Sequence, residues 1–108
     1  MDINKFHLEK YDEALDKAKK LKLRKMHDYN SGKITRFDYA LHGNQSFVDE
    51  IYKKVLRLVS LTDNKSKPKN ESIEDTLLDI INYSADFYSY ILYIKQIREN
   101  EIDGKKRI

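Results

Sequence analysis

SIEDTLLDIINYSADFYSYILYIKQIR, residues 72–98, decides the fold. It contains neither Gly nor Pro, so nothing in it interrupts a helix. Ser72 precedes the apolar run and Asp75 follows three residues on, a variant of the capping box in which the third residue is acidic. Glu71, Glu74 and Asp75 put negative charge at the positive end of the helix dipole. The rest of the segment is apolar on most faces, which predicts burial on several sides. One narrow polar line breaks the pattern. Asp75, Asp79, Asn82, Asp86 and Ser89 recur at steps of four, three, four and three, and so share one face. Carboxylates on a buried helix require partners, because an unpaired buried charge is costly.

The partners are sought upstream. TDNKSKPKN (62–70) is polar, holds the only Pro, and reads as an exposed interhelix turn. Before it, Ser46 is placed to cap a second helix over residues 47–61, with an apolar stripe at Val48, Ile51, Tyr52, Val55, Leu58 and Val59. Glu50, Lys53, Lys54 and Arg57 form a polar stripe on another face. A short turn predicts an antiparallel hairpin. Counting outward from that turn, Arg57 falls near Asp75 and Asp79, and Lys53 and Lys54 fall near Asp79 and Asn82.

Further upstream, YNSGKITRFDYALHGNQ (29–45) is a long connection with turn signals at Asn30-Ser31-Gly32 and Gly43-Asn44, and RFDYAL (36–41) is expected to form one helical turn. Connections of that length are often functional or mobile. A first helix is predicted from Asn4, as N-cap, to Asp28, on the spacing of Leu8, Tyr11, Leu15, Ala18 and Leu21. At the other end ENEIDGKKRI (99–108) is expected to stop the third helix near Gly104, leaving 101–108 as a flexible basic tail.

Composition agrees. The chain has 108 residues, which fits a single domain over 1–108. Three Gly and one Pro exclude a turn-dense all-β fold. The absence of Cys excludes disulfides and thiolate zinc sites, and the three His are too scattered for a zinc motif. No apolar run approaches the roughly 18 residues of a membrane span, and MDINKFHLEK is too charged for a signal peptide. A cytoplasmic location is expected, the host cytoplasm if the chain is phage-encoded. A net charge of +3 with both signs mixed gives no strong nucleic-acid signal.

The expected fold is therefore all-α, with three main helices and a helical hairpin. Its first and third helices would each span roughly 37–42 Å, whereas a compact chain of this size has a radius of gyration of about 13 Å. Three such helices cannot bury the third on all sides. A homo-oligomer, dimer or tetramer, is expected to complete a four-helix bundle.

The facing stripes admit two readings. Interhelical salt bridges are the simpler one. The other is a nucleotide site, in which Lys and Arg meet phosphates, carboxylates at helical spacing hold Mg²⁺, and tyrosines stack a base.

The residues also carry a resemblance. ESIEDTLLDIINYSA (71–85) resembles the signature of the phage and bacterial nucleotide modification associated domain family, which looks distantly similar to all-α NTP pyrophosphatases of the MazG type. KMHDYN (25–30) resembles the family's Lys-x-His-Asp-Tyr-Gly motif, with Asn30 in place of the Gly, and Lys54, Arg57 and Leu58 match its Lys-x-x-Arg-Leu helix. The resemblance implies a nucleotide or cyclic nucleotide ligand. It implies phosphate-binding roles for Lys53, Lys54, Arg57, His27, Asp28 and Tyr29, and Mg²⁺ at Glu71, Asp75 and Asp79, with Asn82 and Asp86 as further polar contacts to the ligand. In MazG-type enzymes two acidic helices hold the metal. Here Asp49 and Glu50 are present, but Lys53 stands where another carboxylate is expected. That exchange favours phosphate binding or nucleotide sequestration, including that of nucleotide immune signals, over turnover. A Mg²⁺-dependent pyrophosphohydrolase is the alternative, and a non-enzymatic partner-binding helical protein is the third reading.

Overall fold

The structure is a computed structural model that describes residues 1–26, 32–63 and 72–106. Those residues form three α-helices, α1 (Ile3–Lys25), α2 (Asn44–Asp63) and α3 (Ile73–Lys106), with a 3₁₀ turn at Arg36–Tyr39 between α1 and α2 and no strand. The all-α expectation and the turn at RFDYAL are both met.

α1 begins two residues earlier than expected, because the Asp2 carboxylate rather than Asn4 caps it, accepting the Lys5 N–H at 3.2 Å. Its solvent face is laced by Lys10–Glu13, Lys17–Glu13 and Lys20–Asp16 pairs at helical spacing. α2 likewise starts before Ser46. Gly43 at φ +62° turns the chain, and the Ser46 hydroxyl, already in the first turn, accepts the His42 N–H at 2.8 Å. A Cβ on Gly43 would meet the Tyr90 hydroxyl at an ordinary 3.4 Å, so it is the dihedral that favours glycine. At its far end α2 takes in Thr62 and Asp63, which were expected in the interhelix turn. The Thr62 hydroxyl donates back to the Leu58 and Val59 carbonyls, which keeps it compatible with the helix.

Ser72 caps α3 as expected, its Oγ accepting the Asp75 N–H at 3.0 Å. The helix does not stop at Gly104 but continues to Lys106, so 101–106 is helix rather than a flexible tail. One Gly costs a helix interior only about 1 kcal/mol.

α2 and α3 form the antiparallel hairpin. Lys54 meets Asp79, while Phe47 stacks on Phe87 at 5.2 Å and lies 5.0 Å from Tyr90. α1 runs parallel to α3 on its other flank: Lys10, Ala14 and Lys17 share a groove with Glu74, Leu78 and Ile81, and Lys22 reaches Asp86. The 3₁₀ turn docks on α3 through Phe37, which stacks on Tyr93 at 4.9 Å and meets Tyr90 edge-on at 5.6 Å. The molecule is elongated, with a radius of gyration of 18.1 Å and extents of 63 × 32 × 26 Å. Among the described apolar residues only Ala18, Phe47 and Leu61 are buried.

Candidate functional site

The polar line of α3 opens into a cavity of about 170 Å³ where α1, the 3₁₀ turn, α2 and α3 converge. α3 contributes Asp79, Asn82, Tyr83 and Asp86, and α2 contributes Glu50. The cations come from the other side: Lys22 and Lys25 from the last turn of α1, and Arg36 from the 3₁₀ turn.

Arg36 is the hub. Its Nε donates to Asp86 Oδ2 at 2.9 Å and its Nη2 to Glu50 Oε2 at 3.0 Å, while the guanidinium lies 5.0 Å from the Phe47 ring centroid. Two backbone features aim it. The Thr35 N–H donates to the Asp38 carboxylate, closing a capping box at the start of the turn, and Phe37 pins the turn to α3. Asp86, only 8 % exposed, is held from a second side by Lys22, whose Nζ lies 2.8 Å from Oδ1. Lys54 binds Asp79 at 2.9 Å. Each cavity carboxylate thus has a cation, and Lys22, Lys25, Arg36 and Lys54 outnumber Glu50, Asp79 and Asp86 by one.

Burial opposes the charge on Arg36, but the hydrogen bond and charge of Asp86, and then those of Glu50, more than offset it. The Arg36 pKa is raised and the guanidinium stays charged. Burial, followed by the negative charge of Glu50, pushes the Tyr83 phenol above its ordinary pKa and keeps it a neutral donor. Asn82 Nδ2 is buried and has no hydrogen-bond partner among the described residues. Leaving such a donor unmade costs about 1–3 kcal/mol, so a bound acceptor at that point would recover energy.

The sequence-predicted residues are distributed unevenly. Asp79, Asn82 and Asp86 come together in the cavity, and Lys54 closes on Asp79. Lys53 is exposed and lies outside the cavity lining, because it sits about 100° round the helix from the inward-facing Lys54. Arg57, also exposed, is one turn closer to the hairpin bend and does not line it either. Asp75 faces the separate groove between α1 and α3, with Lys10 and Lys17 across from it. His27, Asp28, Tyr29 and Glu71 lie outside the described residues. Among the described residues no three of His, Asp and Glu converge on a metal-sized point. The cavity carboxylates Glu50, Asp79 and Asp86 are each already cation-paired. Lys22, Lys25 and Arg36 were not anticipated as site residues, because Lys22 and Arg36 are 64 and 50 residues from Asp86 in sequence.

The fold and cavity define a small all-helical protein with a charged pocket between its helices. A family model described as nucleotide modification associated domain 1 matches residues 25–85, more than half of the chain, and the chain belongs to that family. The matched segment includes Arg36, Glu50, Asp79 and Asn82 and ends one residue short of Asp86. No curated protein and no solved structure matches the chain. No helix among the described residues is long and apolar enough to cross a membrane.

Proposed function

We propose that the chain is a nucleotide-binding protein, of phage type, that holds its ligand at the Arg36 cavity with weak or no turnover. Membership of a nucleotide modification associated family supports the ligand class. The observation that carries the reading is the Asn82 Nδ2, buried and without a hydrogen-bond partner among the described residues, at a cavity ringed by Lys22, Lys25 and Arg36. A phosphate oxygen or a base carbonyl satisfies that amide, and Lys25, with the N–H groups of Lys22 and Arg36 that Asp86 and Glu50 do not take, supplies charge-assisted bonds to phosphate. Tyr39, exposed at the cavity edge, offers a ring on which a base can stack. The cavity is smaller than the roughly 300–1,000 Å³ of pockets that enclose a whole small molecule. It suits part of a nucleotide, with the remainder outside.

Weak turnover follows from the ion pairs. Hydrolysis of a triphosphate needs a metal-activated water, and a metal needs carboxylates that are not already neutralised. Here Lys54, Lys22 and Arg36 occupy Asp79, Asp86 and Glu50. Sequestration of nucleotides, immune signals included, is the role that suits such a site in the cytoplasm of an infected host. One observation favours the second reading, a Mg²⁺-dependent pyrophosphohydrolase distantly related to the MazG type: three carboxylates from two helices do line one cavity.

A thermal-shift screen with common nucleoside triphosphates and cyclic dinucleotides, with and without Mg²⁺, tests the proposal. Stabilisation by at least one nucleotide without Mg²⁺ is expected, since a ligand at a hundred times its Kd adds about 2.7 kcal/mol. No stabilisation by any of them refutes it. Robust Mg²⁺-dependent pyrophosphate release, abolished in Asp79→Asn, moves the reading to the enzyme.

A further inference from the structure

The α2/α3 hairpin has two sides, and only one is covered. Thr76 and Phe47, the most buried side chains of α3 and α2, mark where the two helices face each other. Asp79 and Asp86 lie about 60–80° to one side of Thr76, and Glu50 lies about 60° to the same side of Phe47. That side carries the cavity, with α1 and the 3₁₀ turn over it. On the opposite side, about 60–120° round, stand Tyr88 and Ile91 of α3 and Val48, Val55 and Val59 of α2, while Leu77 on the same arc borders the groove with Lys10 and Lys17 of α1. Each is between 37 % and 68 % exposed. Ser84, small and exposed, sits in the middle of this side. No charged residue falls on this arc between Leu77 and Ile91 of α3 or between Val48 and Val59 of α2.

We infer that this open face binds the same face of a second copy of the chain, joining two hairpins into a four-helix bundle. The surface area supports this occupant. The chain exposes 9124 Å², whereas a folded monomer of its mass exposes about 6,300 Å². The excess of about 2,800 Å², shared with the exposed apolar residues of α1, is of the order that each partner buries in an obligate dimer, roughly 1,000–2,500 Å². Between Leu77 and Ile91 the face carries no charge, Lys95 being the first on its arc a turn further on, so its middle is self-complementary under a two-fold axis. Ser84 allows two backbones to approach closely at its centre. The inference is independent of the nucleotide reading.

Light scattering on the full chain at micromolar concentration tests it. The wild type is expected at about 26 kDa, twice its 12.9 kDa, or at a multiple of that pair. Ser84→Arg and Val55→Glu are expected to fall at least twofold in mass while keeping the wild-type helical circular dichroism. Leu15→Glu, on the exposed face of α1, is expected to keep the wild-type mass. A wild-type mass of one chain overturns the inference, as does an unchanged mass in both face variants. If the face variants fail to fold, single cysteines decide, since the chain has no native one. Ser84→Cys and Val55→Cys are joined one at a time by a thiol crosslinker of roughly 10 Å, the spacing of packed helices. A covalent dimer from either, with none from Lys20→Cys on α1, upholds the face. Crosslinking from neither overturns it.

Discussion

Removing Arg36 should unlock the junction that joins all the helices. Its side chain is 15 % exposed and that of Asp86 11 %, and the bond between them is 2.9 Å. A hydrogen bond between charged groups contributes about 1.5–3 kcal/mol. The link to Glu50, which is 36 % exposed, contributes less, at most about 1 kcal/mol. The guanidinium over Phe47 adds roughly 0.5–1 kcal/mol. Against this, Asp86 keeps Lys22 at 2.8 Å when Arg36 is gone, so it is not left a bare buried charge. The net loss expected for Arg36→Ala is about 2–3 kcal/mol, below the 3–5 kcal/mol of a fully orphaned buried ion. Urea unfolding of Arg36→Ala, Asp86→Ala and the double variant, at one protein concentration, isolates the pair. The coupling expected is about 1.5–2.5 kcal/mol. The same cycle on Lys20 and Asp16, which are 70 % and 63 % exposed, should give no more than about 0.5 kcal/mol. A coupling at Arg36–Asp86 as small as that would refute the reasoning.

Three further outcomes are expected. Gly43→Ala should lower stability by about 1–2 kcal/mol, the cost of a left-handed backbone for an L-residue; an unchanged urea midpoint would contradict the turn geometry. Ser72→Ala should cost about 1 kcal/mol through loss of the α3 cap, with Ser72→Asp restoring most of it in the same assay. Tyr83 has a raised pKa in the folded chain, caused first by burial and then by Glu50. Its neutral form therefore contributes stability that is fully present below the unfolded value of about 10 and is lost as pH rises through the folded value. Tyr83→Phe should accordingly lose less stability than wild type between about pH 9 and about pH 11, and equal losses would show that Tyr83 is not buried against Glu50.

What the sequence made legible was whatever depends on neighbours along a helix or across a short turn. The Asp79–Asn82–Asp86 stretch of the polar line, the Ser72 cap and the Lys54–Asp79 pairing all follow from helical spacing and hairpin register, and all appear. Helix ends were less legible, because Asp2 and Asn4 are both competent caps and Gly104 is a weak stop between good helix formers. The cations of the site were not legible. Arg36 reaches Asp86 only because Phe37 anchors a four-residue turn to Tyr90 and Tyr93, a contact with no periodic signature. Lys22 looks like one more lysine on a charged helix, and only the parallel packing of α1 on α3 turns it toward Asp86. Lys53 and Arg57 drew notice through their spacing, yet a stripe on one helix spans more than the arc that a single cavity uses.

The most direct test of the nucleotide site is the side-chain amide of Asn82. Its ¹H–¹⁵N signals can be followed while each common nucleoside triphosphate, then a cyclic dinucleotide, is titrated into the full chain. The account predicts that at least one of them shifts the Asn82 amide saturably, with the Arg36 Nε signal moving in step and the exposed Asn100 amide staying still. If the Asn82 signals stay fixed up to millimolar concentrations of every nucleotide, or move no more than those of Asn100, the cavity is a set of structural ion pairs and the proposal fails.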